Sequence, residues 1–213
     1  RERATARLAE LAAALTPLPV TTLLVEGGVA DSIHGAAEEA DVDLLVMGAR
    51  GENTVRDFVI GSNTERVLRR SERSLLAVRG ETRDDYRHVL VPVDFSAHSR
   101  HALELAGLLA PQATLTVLHV FDAPLEAKLE YAGVPTAEIQ AYRERGRREA
   151  ELAMGEFLSA LPATLRERVV PEVAVGYAAG LILEKAAGIG CDLVALGKHG
   201  RSPVEEWVLG SVT

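Results

Sequence analysis

Short apolar runs alternate with amphipathic stretches along most of this 213-residue chain. Residues 88–93 form an apolar run that ends at Asp94, and residues 114–121 form a second run rich in β-branched side chains. Runs of this length and composition predict buried strands. Further strands are predicted at residues 20–26, 43–47, 74–78, 169–175 and 192–196.

Amphipathic segments between these runs predict helices. The apolar residues between Ala102 and Leu109 share one face of a helix that Ser96 would cap and Pro111 would end. Residues 122–136 are predicted to be irregular. Further helices are predicted at residues 1–15, 62–70, 136–160 and 178–187. Apolar strands that alternate with helices indicate an α/β fold, an open parallel sheet with helices on both faces.

One stretch of sequence occurs twice, at a fixed offset of 149 residues. Residues 43–51 read Asp-Leu-Leu-Val-Met-Gly-Ala-Arg-Gly and resemble residues 192–200, which read Asp-Leu-Val-Ala-Leu-Gly-Lys-His-Gly. The same offset relates Gly27 to Gly176 and the Gly-Ser pair at residue 61 to the pair at residue 210. An offset kept without a gap over about 35 residues indicates a duplicated unit of small-domain size.

The duplication predicts a first module at residues 1–79, a polar linker at residues 80–86 and a second module at residues 87–213. Applying the offset to both ends, we expect the first module to lack about 60 residues at its start. The second is expected to lack about 14 at its end, namely its last helix and strand. Because missing strands would leave unpaired sheet edges, we expect the sequence to be part of a longer protein.

Composition narrows the class of protein. The net charge of -8 argues against binding to nucleic acid or to anionic membranes, whose phosphates attract basic surfaces. That charge does not exclude a single nucleotide, because backbone N–H groups can hold its phosphates. Cys191 is the one cysteine, so no internal disulfide is expected and a reducing cytoplasm is the expected compartment. No apolar run approaches the ~20 residues that a membrane helix needs.

A glycine pattern follows the last predicted strand. It reads Gly197-x2-Gly200-x9-Gly210-Ser211, and its final residues would open a helix. Glycines let the backbone turn sharply and approach a phosphate, and a helix N-terminus offers free N–H groups and a favourable dipole. The alternative is that these glycines only form turns. A second copy of the pattern in register, beginning at Gly48, favours a phosphate loop.

Asp94 ends the first predicted strand of the second module, within the motif Val-Pro-Val-Asp-Phe-Ser at residues 91–96. A carboxylate at the carboxyl end of a parallel strand can accept hydrogen bonds from a ribose hydroxyl or an adenine amine. It can equally cap the following helix or pair with Ser96, and spacing alone does not separate these roles. His119, within an apolar strand, is expected to be a hydrogen-bonded core residue. No spacing typical of a metal site or a catalytic triad stands out, so neither is predicted.

The Val-Pro-Val-Asp-Phe-Ser motif, the glycine pattern and the final residues Gly210-Ser211-Val212-Thr213 together resemble the universal stress protein family, in its tandem form, over essentially the whole chain. The resemblance implies a five-stranded parallel sheet in the order 3-2-1-4-5 for each module, and ATP as the ligand. On the matching positions, the nucleotide would contact Pro92, Val93, Asp94, Val120, Leu196, Gly197, His199, Gly200, Gly210, Ser211, Val212 and Thr213.

Within that set, Asp94 would face the adenine and ribose, Val120 would offer its backbone to the base, and residues 210–213 would hold the phosphates. The first module carries a second possible phosphate loop, with Asn63 where the family usually has a small apolar residue. Its residues are Gly48, Arg50, Gly51, Gly61, Ser62, Asn63 and Thr64. The strand that would bear its aspartate is not in this sequence, so nucleotide binding by the first module stays open.

The function implied by the resemblance is an ATP-binding stress-response or signalling module with little or no catalytic turnover. Glu205 and Glu206 are candidate Mg²⁺ ligands, with a solvated loop as the alternative. A tandem stress protein that binds no nucleotide and serves as an interaction or other-ligand scaffold is the competing hypothesis, and an ATPase is the third. Two modules in one chain imply an intramolecular pseudo-dimer, and a further homodimer is left open.

Overall fold

Residues 1–49, 61–80, 85–121 and 131–198 are described by the structure, which is a computed structural model of the chain. The chain divides into two compact units, Arg1–Thr82 and Arg83–Thr213, each with its own parallel sheet. Within the described residues, no helix combines the length and the apolar character that crossing a membrane requires.

The first unit is built on a two-stranded parallel sheet. Its elements in chain order are α1 (Glu2–Ala14), α2 (Val29–Glu39), β1 (Leu44–Gly48), α3 (Ser62–Arg70) and β2 (Ser74–Val78). Helices α2 and α3 contact each other, and Val67 of α3 and Ala37 of α2 are buried. Burying a valine side chain contributes roughly 1.5–3 kcal/mol, so burial of Val67 stabilises this small unit.

The second unit is a four-stranded parallel sheet. Its elements are β3 (His88–Pro92), α4 (Ala97–Leu109), β4 (Thr114–Phe121), α5 (Thr136–Ser159), α6 (Ala163–Arg166), β5 (Val169–Val175), α7 (Ala178–Gly188) and β6 (Leu193–Val194). The strands lie in the order β5-β4-β3-β6. The chain therefore runs outward from β3 through β4 to β5, and then returns to the opposite side of β3.

Two clusters of buried side chains cover the two faces of this sheet. Val89 and Val91 of β3 lie in one cluster with Leu103 of α4, whereas Leu90 lies in the other with Ile182 of α7. Successive strand side chains point to opposite faces, so a strand covered on both sides needs apolar residues at every position. This explains the unbroken apolar run in β3 and confirms the predicted α/β fold with helices on both faces of the sheet.

Several predicted elements have the predicted bounds, namely β2, β4, β5 and α3. The strand predicted at residues 192–196 is shorter, because β6 spans only Leu193–Val194. The N–H groups of Asp192 and Ala195 still donate to β3 carbonyls, at 3.0 and 2.9 Å, so hydrogen bonding extends one residue beyond each end of β6. Much of the predicted linker and irregular segment, residues 81–84 and 122–130, lies outside the described residues.

The strand predicted at residues 20–26 is wrong. These residues form no strand, and their large apolar side chains are exposed, Leu23 by 61% of its surface. At the offset of 149 residues the segment corresponds to β5, every residue of which pairs with β4. A strand exists through hydrogen bonds to a neighbour, and within the described part of the first unit only β1 and β2 pair. A β-branched pattern without a partner strand therefore leaves an exposed segment that is not a strand.

Local backbone geometry recurs at the offset of 149 residues. Helices α2 and α7 begin at residues 29 and 178, and strands β1 and β6 begin at residues 44 and 193. Gly27 and Gly176, which precede the two helices, both have a φ of 140°, and Asp41 and Gly190, which follow them, have φ values of 48° and 59°. Positive φ at equivalent positions indicates that both units make the same turns before and after this helix.

The predicted five-stranded order 3-2-1-4-5 is tested only in part. Numbered in their own chain order, the strands of the second unit lie as 3-2-1-4. The first unit contributes two paired strands. No fifth strand is present among the described residues of the second unit, so the complete order stays a prediction for each unit.

Candidate functional site

Two loops of the second unit leave the carboxyl edge of the sheet where the strand order reverses. From β3 the chain turns toward β4, whereas β6 lies on the opposite side of β3. At such a point the loops diverge and leave a crevice, which is the usual ligand site of open α/β sheets. Asp94 follows β3 and Gly197 follows β6, so two of the loops predicted from sequence border this opening, here named the switch crevice.

Asp94 is held in the turn between β3 and α4. Its Oδ1 atom accepts a hydrogen bond from the N–H of Ser96, with 3.0 Å between the heavy atoms. The Oγ atom of Ser96 in turn accepts from the N–H of Ser99 at 3.1 Å and caps α4. The pairing with Ser96 that spacing left open is therefore present. A carboxylate has about four acceptor positions, so the bond to Ser96 does not by itself exclude a ligand hydroxyl or amine.

Gly197 lets the loop after β6 touch the first turn of α4. A Cβ atom at this position would lie 3.0 Å from the carbonyl carbon of His98 and 3.0 Å from the nitrogen of Ser99. Contacts this short with backbone atoms would force the chain apart, so the close approach depends on glycine. Because Ser99 also bonds Ser96, the contact places the Gly197 loop beside the Asp94 turn.

Val120 lies where β4 extends beyond the end of β3. The ladder between these strands ends with the N–H of Val93, which donates to the carbonyl of Leu118 at 2.8 Å. Alternate residues of a parallel strand face the same neighbour, and the carbonyl of Phe121 accepts from the β5 side. The backbone groups of Val120, like those of Leu118, therefore face the β3 side. Unlike the carbonyl of Leu118, the N–H and C=O of Val120 have no hydrogen-bond partner among the described residues, so both groups of Val120 are open to a ligand in the switch crevice.

His119 contacts the Asp94 turn, a role that the sequence did not reveal. Its Nδ1 atom lies 2.8 Å from the carbonyl oxygen of Val93, the residue before Asp94. Its ring packs on that of Phe95, the residue after Asp94, with 4.2 Å between centroids and 31° between planes. The expected hydrogen bond of His119 is present although the residue is half-buried, and the structure adds that its partner is the chain on either side of Asp94. A lone polar residue near the end of an apolar strand was the available signal.

The other residues of the second unit that are predicted to contact the nucleotide lie partly within and partly outside the described residues. Pro92 and Val93 are buried at the end of β3, and Leu196 is half-buried after β6. Among the described residues, no group of three His, Cys, Asp or Glu side chains could hold a metal ion. The predicted contacts and Mg²⁺ candidates outside the described residues are His199, Gly200, Glu205, Glu206, Gly210, Ser211, Val212 and Thr213.

The glycine loop of the first unit is closed at its base by two hydrogen bonds. The N–H of Gly61 donates to the carbonyl of Ala49 at 2.7 Å, and the buried hydroxyl of Thr64 donates to the carbonyl of Gly48 at 2.9 Å. No side chain caps the N-terminus of α3, which begins at Ser62 and includes Asn63. The two ends of the predicted loop therefore meet beside a helix N-terminus, whereas Arg50 and Gly51 lie outside the described residues.

Comparison with known families and proteins gives a consistent match. The model of the universal stress protein family matches residues 1–79 and 85–213. Universal stress protein MJ0577 of Methanocaldococcus jannaschii is 32% identical to this chain over 60 residues. Those residues are 28% of this chain and 37% of that protein, so the match spans little more than a third of that relative.

Solved structures resemble the chain along nearly all of its length. A protein of unknown function from Pseudomonas aeruginosa PAO1, PA1789, has a TM-score of 0.70 and 17% identity, and the match covers 98% of this chain and 72% of that one. A universal stress protein from Archaeoglobus fulgidus has a TM-score of 0.63 and 22% identity, covering 99% of this chain and 71% of that one. At these identities the likeness concerns the fold.

Proposed function

The chain belongs to the universal stress protein family, and from that premise we propose that its second unit binds an adenine nucleotide, with ATP as the ligand. The protein then acts as a stress-response or signalling module with little or no catalytic turnover. The observation that carries the proposal is the convergence of Asp94, Val120 and Gly197 on the switch crevice. Fold alone does not determine function, so the proposal rests on these contacts.

The nucleoside is proposed to lie between the Asp94 turn and the end of β4. The open N–H and C=O of Val120 offer one donor and one acceptor side by side. The adenine edge carries a ring-nitrogen acceptor next to an amine donor, which is the complementary arrangement. Asp94 is proposed to accept from the ribose hydroxyls or the amine. Pro92 and Val93, both buried beside it, provide an apolar wall for the base.

The phosphates are proposed to lie on the other side of the switch crevice. Leu196, Gly197, His199 and Gly200 would form its near wall, and Gly210, Ser211, Val212 and Thr213 would hold the phosphate oxygens. At the offset of 149 residues, Gly210 and Thr213 correspond to Gly61 and Thr64, which close the first loop beside the N-terminus of α3. A helix N-terminus with free N–H groups and a positive dipole end suits a phosphate. Glu205 and Glu206 stay candidates for Mg²⁺.

We also propose that the two units are tandem modules, at residues 1–79 and 87–213 with a linker at residues 80–86. Strands β1 and β6 correspond at the offset of 149 residues. Joining β5-β4-β3-β6 to β1-β2 through this shared strand yields the order 3-2-1-4-5 for a complete module. The shared turns at Gly27 and Gly176 support the same conclusion. Solved single chains that match 98% and 99% of this chain support it as well.

Mass spectrometry of the denatured protein and ATP titration by calorimetry test the nucleotide site. We expect released ATP, ADP or AMP, or binding of ATP below millimolar concentration, with slow or no phosphate release in Mg²⁺. No released nucleotide together with no binding at millimolar ATP would overturn the proposal in favour of an interaction scaffold.

Two variants of Asp94 test whether its carboxylate contacts the ligand. Asp94→Asn keeps an oxygen that can accept from Ser96 and loses the charge, whereas Asp94→Ala loses both. Hydrogen bonds to charged groups contribute about 1.5–3 kcal/mol, so we expect each variant to weaken ATP binding by at least about tenfold. If Asp94→Asn binds ATP as tightly as the unmodified protein, Asp94 only shapes the turn and the assignment is wrong.

A further inference from the structure

The hydrogen-bond ladder between β3 and β4 stops one step earlier than a regular parallel ladder would. After the bond from Val93 N–H to the carbonyl of Leu118, the next bond would run from Val120 N–H to the carbonyl of Val93. That bond is absent. The carbonyl of Val93 instead lies 2.8 Å from Nδ1 of His119. A side chain of β4 has therefore replaced a backbone group of the same strand.

We propose that His119 is a positioning residue of the nucleotide site, which keeps the backbone of Val120 open for the adenine edge by occupying the carbonyl of Val93. The inference rests on the proposed function, since it explains how one strand can present an unpaired donor and acceptor in the switch crevice. Backbone N–H and C=O groups inside proteins are rarely left unpaired, because each one without a protein or water partner costs free energy. An arrangement that keeps the N–H and C=O of Val120 unpaired near the end of β4 is consistent with a ligand that forms hydrogen bonds with them.

The protonation of His119 follows from its partner. A carbonyl oxygen only accepts hydrogen bonds, so Nδ1 must carry the hydrogen. The neutral ring with hydrogen on Nδ1 and the charged ring both meet this condition. Either form can donate to Val93, and this bond fixes the position of the ring.

Phe95 supports the same arrangement from the other side of Asp94. Its φ of 64° lies in the left-handed region, which a bulky residue adopts at a cost of about 1–2 kcal/mol. In a regular ladder the N–H of Phe95 would donate to the carbonyl of Val120, and this bond is also absent. The Phe95 ring instead packs between His119 and Phe157, at 4.2 and 5.6 Å between ring centroids. The turn thus removes both hydrogen-bond partners that Val120 would have in a regular ladder, the carbonyl of Val93 and the N–H of Phe95.

Amide hydrogen exchange at Val120 tests this inference without any nucleotide. His119→Leu removes the donor but keeps an apolar side chain, so the freed carbonyl of Val93 can accept the N–H of Val120. We expect exchange at this one amide to slow by about tenfold or more in His119→Leu. His119→Asn carries a side-chain N–H close to the position of Nδ1, and we expect exchange as in the unmodified protein. A variant that merely destabilised the fold would speed exchange, so unchanged or faster exchange at Val120 in His119→Leu overturns the inference.

Nucleotide titration then tests the link to the ligand. We expect His119→Leu to weaken ATP binding by about tenfold and to reduce the preference for ATP over GTP, because the N–H of Val120 then pairs with Val93 and its hydrogen bond to the base is lost. His119→Asn should retain this bond. If the unmodified protein binds no nucleotide, the proposed function fails, while the exchange result still decides whether His119 ends the ladder. If ATP binds equally well in all three proteins, the positioning role is wrong and the proposed function stands.

Discussion

Cys191 lies between α7 and β6 with its thiol directed at a backbone carbonyl. Its Sγ atom donates to the carbonyl of Leu193 at 2.9 Å, and burial raises the pKa of the thiol above its ordinary value of 9.0. A thiol that stays protonated is a weak nucleophile, because the thiolate is the reactive form. Cys191 is therefore suited to packing at the end of α7.

The raised pKa of Cys191 predicts a loss of stability at alkaline pH. Above the ordinary thiol pKa, the unfolded chain releases a proton that the folded chain retains, so the free energy of unfolding falls as pH rises. Urea unfolding between pH 7 and pH 10 should therefore show a steeper decline in the unmodified protein than in Cys191→Ala. Because other groups are common to both proteins, a difference in stability that does not change with pH would contradict this cause.

Arg168 has a structural role that its position in the sequence does not suggest. Its guanidinium donates to the carbonyl of Ala110 at 2.6 Å and to that of Gly107 at 3.0 Å, which satisfies free carbonyls at the C-terminus of α4. Gly107 also leaves room for Leu165, whose Cδ1 would lie 2.4 Å from a Cβ atom at that position. A residue about 60 positions later in the chain thus completes the helix that begins at the Asp94 turn.

On the scale of single elements, the base of the first glycine loop depends on Thr64. Thr64→Val keeps the shape of the side chain and leaves the carbonyl of Gly48 without its donor, whereas Thr64→Ser keeps the hydroxyl. We expect Thr64→Val to lower the free energy of unfolding of the first unit by about 1 kcal/mol and to speed amide exchange at Gly61. We expect Thr64→Ser to leave the exchange at Gly61 unchanged. Equal exchange in the two variants would show that the hydroxyl does not close the loop.

Residues 20–26 and β5, which correspond at the offset of 149 residues, show that pairing with a neighbour decides whether a segment forms a strand. Residues 20–26 and β5 have similar β-branched patterns, and only β5 lies beside a strand with free backbone groups. Strand propensity describes how well side chains fit a pleated surface, and it supplies no partner. Helices α2 and α7, whose hydrogen bonds are internal, start and end at equivalent residues in both units. The ends of α2 therefore match those of α7, which was predicted from its own segment, whereas residues 20–26 do not form the strand that β5 forms.

At the scale of the whole molecule, the two units differ in what they offer a nucleotide. Within residues 1–213, only the second unit combines an aspartate-bearing turn with a glycine loop. Calorimetric titration of this 213-residue chain should therefore give one ATP per chain. Gly200→Asp should abolish binding, and the matched variant Gly51→Asp in the first loop should leave it unchanged. Two sites per chain, or a loss of binding in Gly51→Asp, would contradict this assignment.

The candidate site could be predicted from sequence as far as its parts are local motifs. Asp94 and Gly197 were found because they follow apolar strands, and parallel strands place their carboxyl ends at one edge. The role of His119 could not be found this way, because it depends on the register between β3 and β4. The contact between Gly197 and Ser99 could not be predicted from sequence either, because it joins residues about a hundred positions apart.

The amino-acid sequence by itself determined most of the helices, the strands other than the one expected at residues 20–26, the repeat at an offset of 149 residues and the parallel α/β class. These follow from side-chain periodicity and from short-range hydrogen bonding, which a linear pattern records. Only the tertiary structure decided that residues 20–26 stay unpaired and that the ladder beside Val120 ends early. Both depend on which distant backbone groups come within hydrogen-bond distance, and that is set by how strands pair in space.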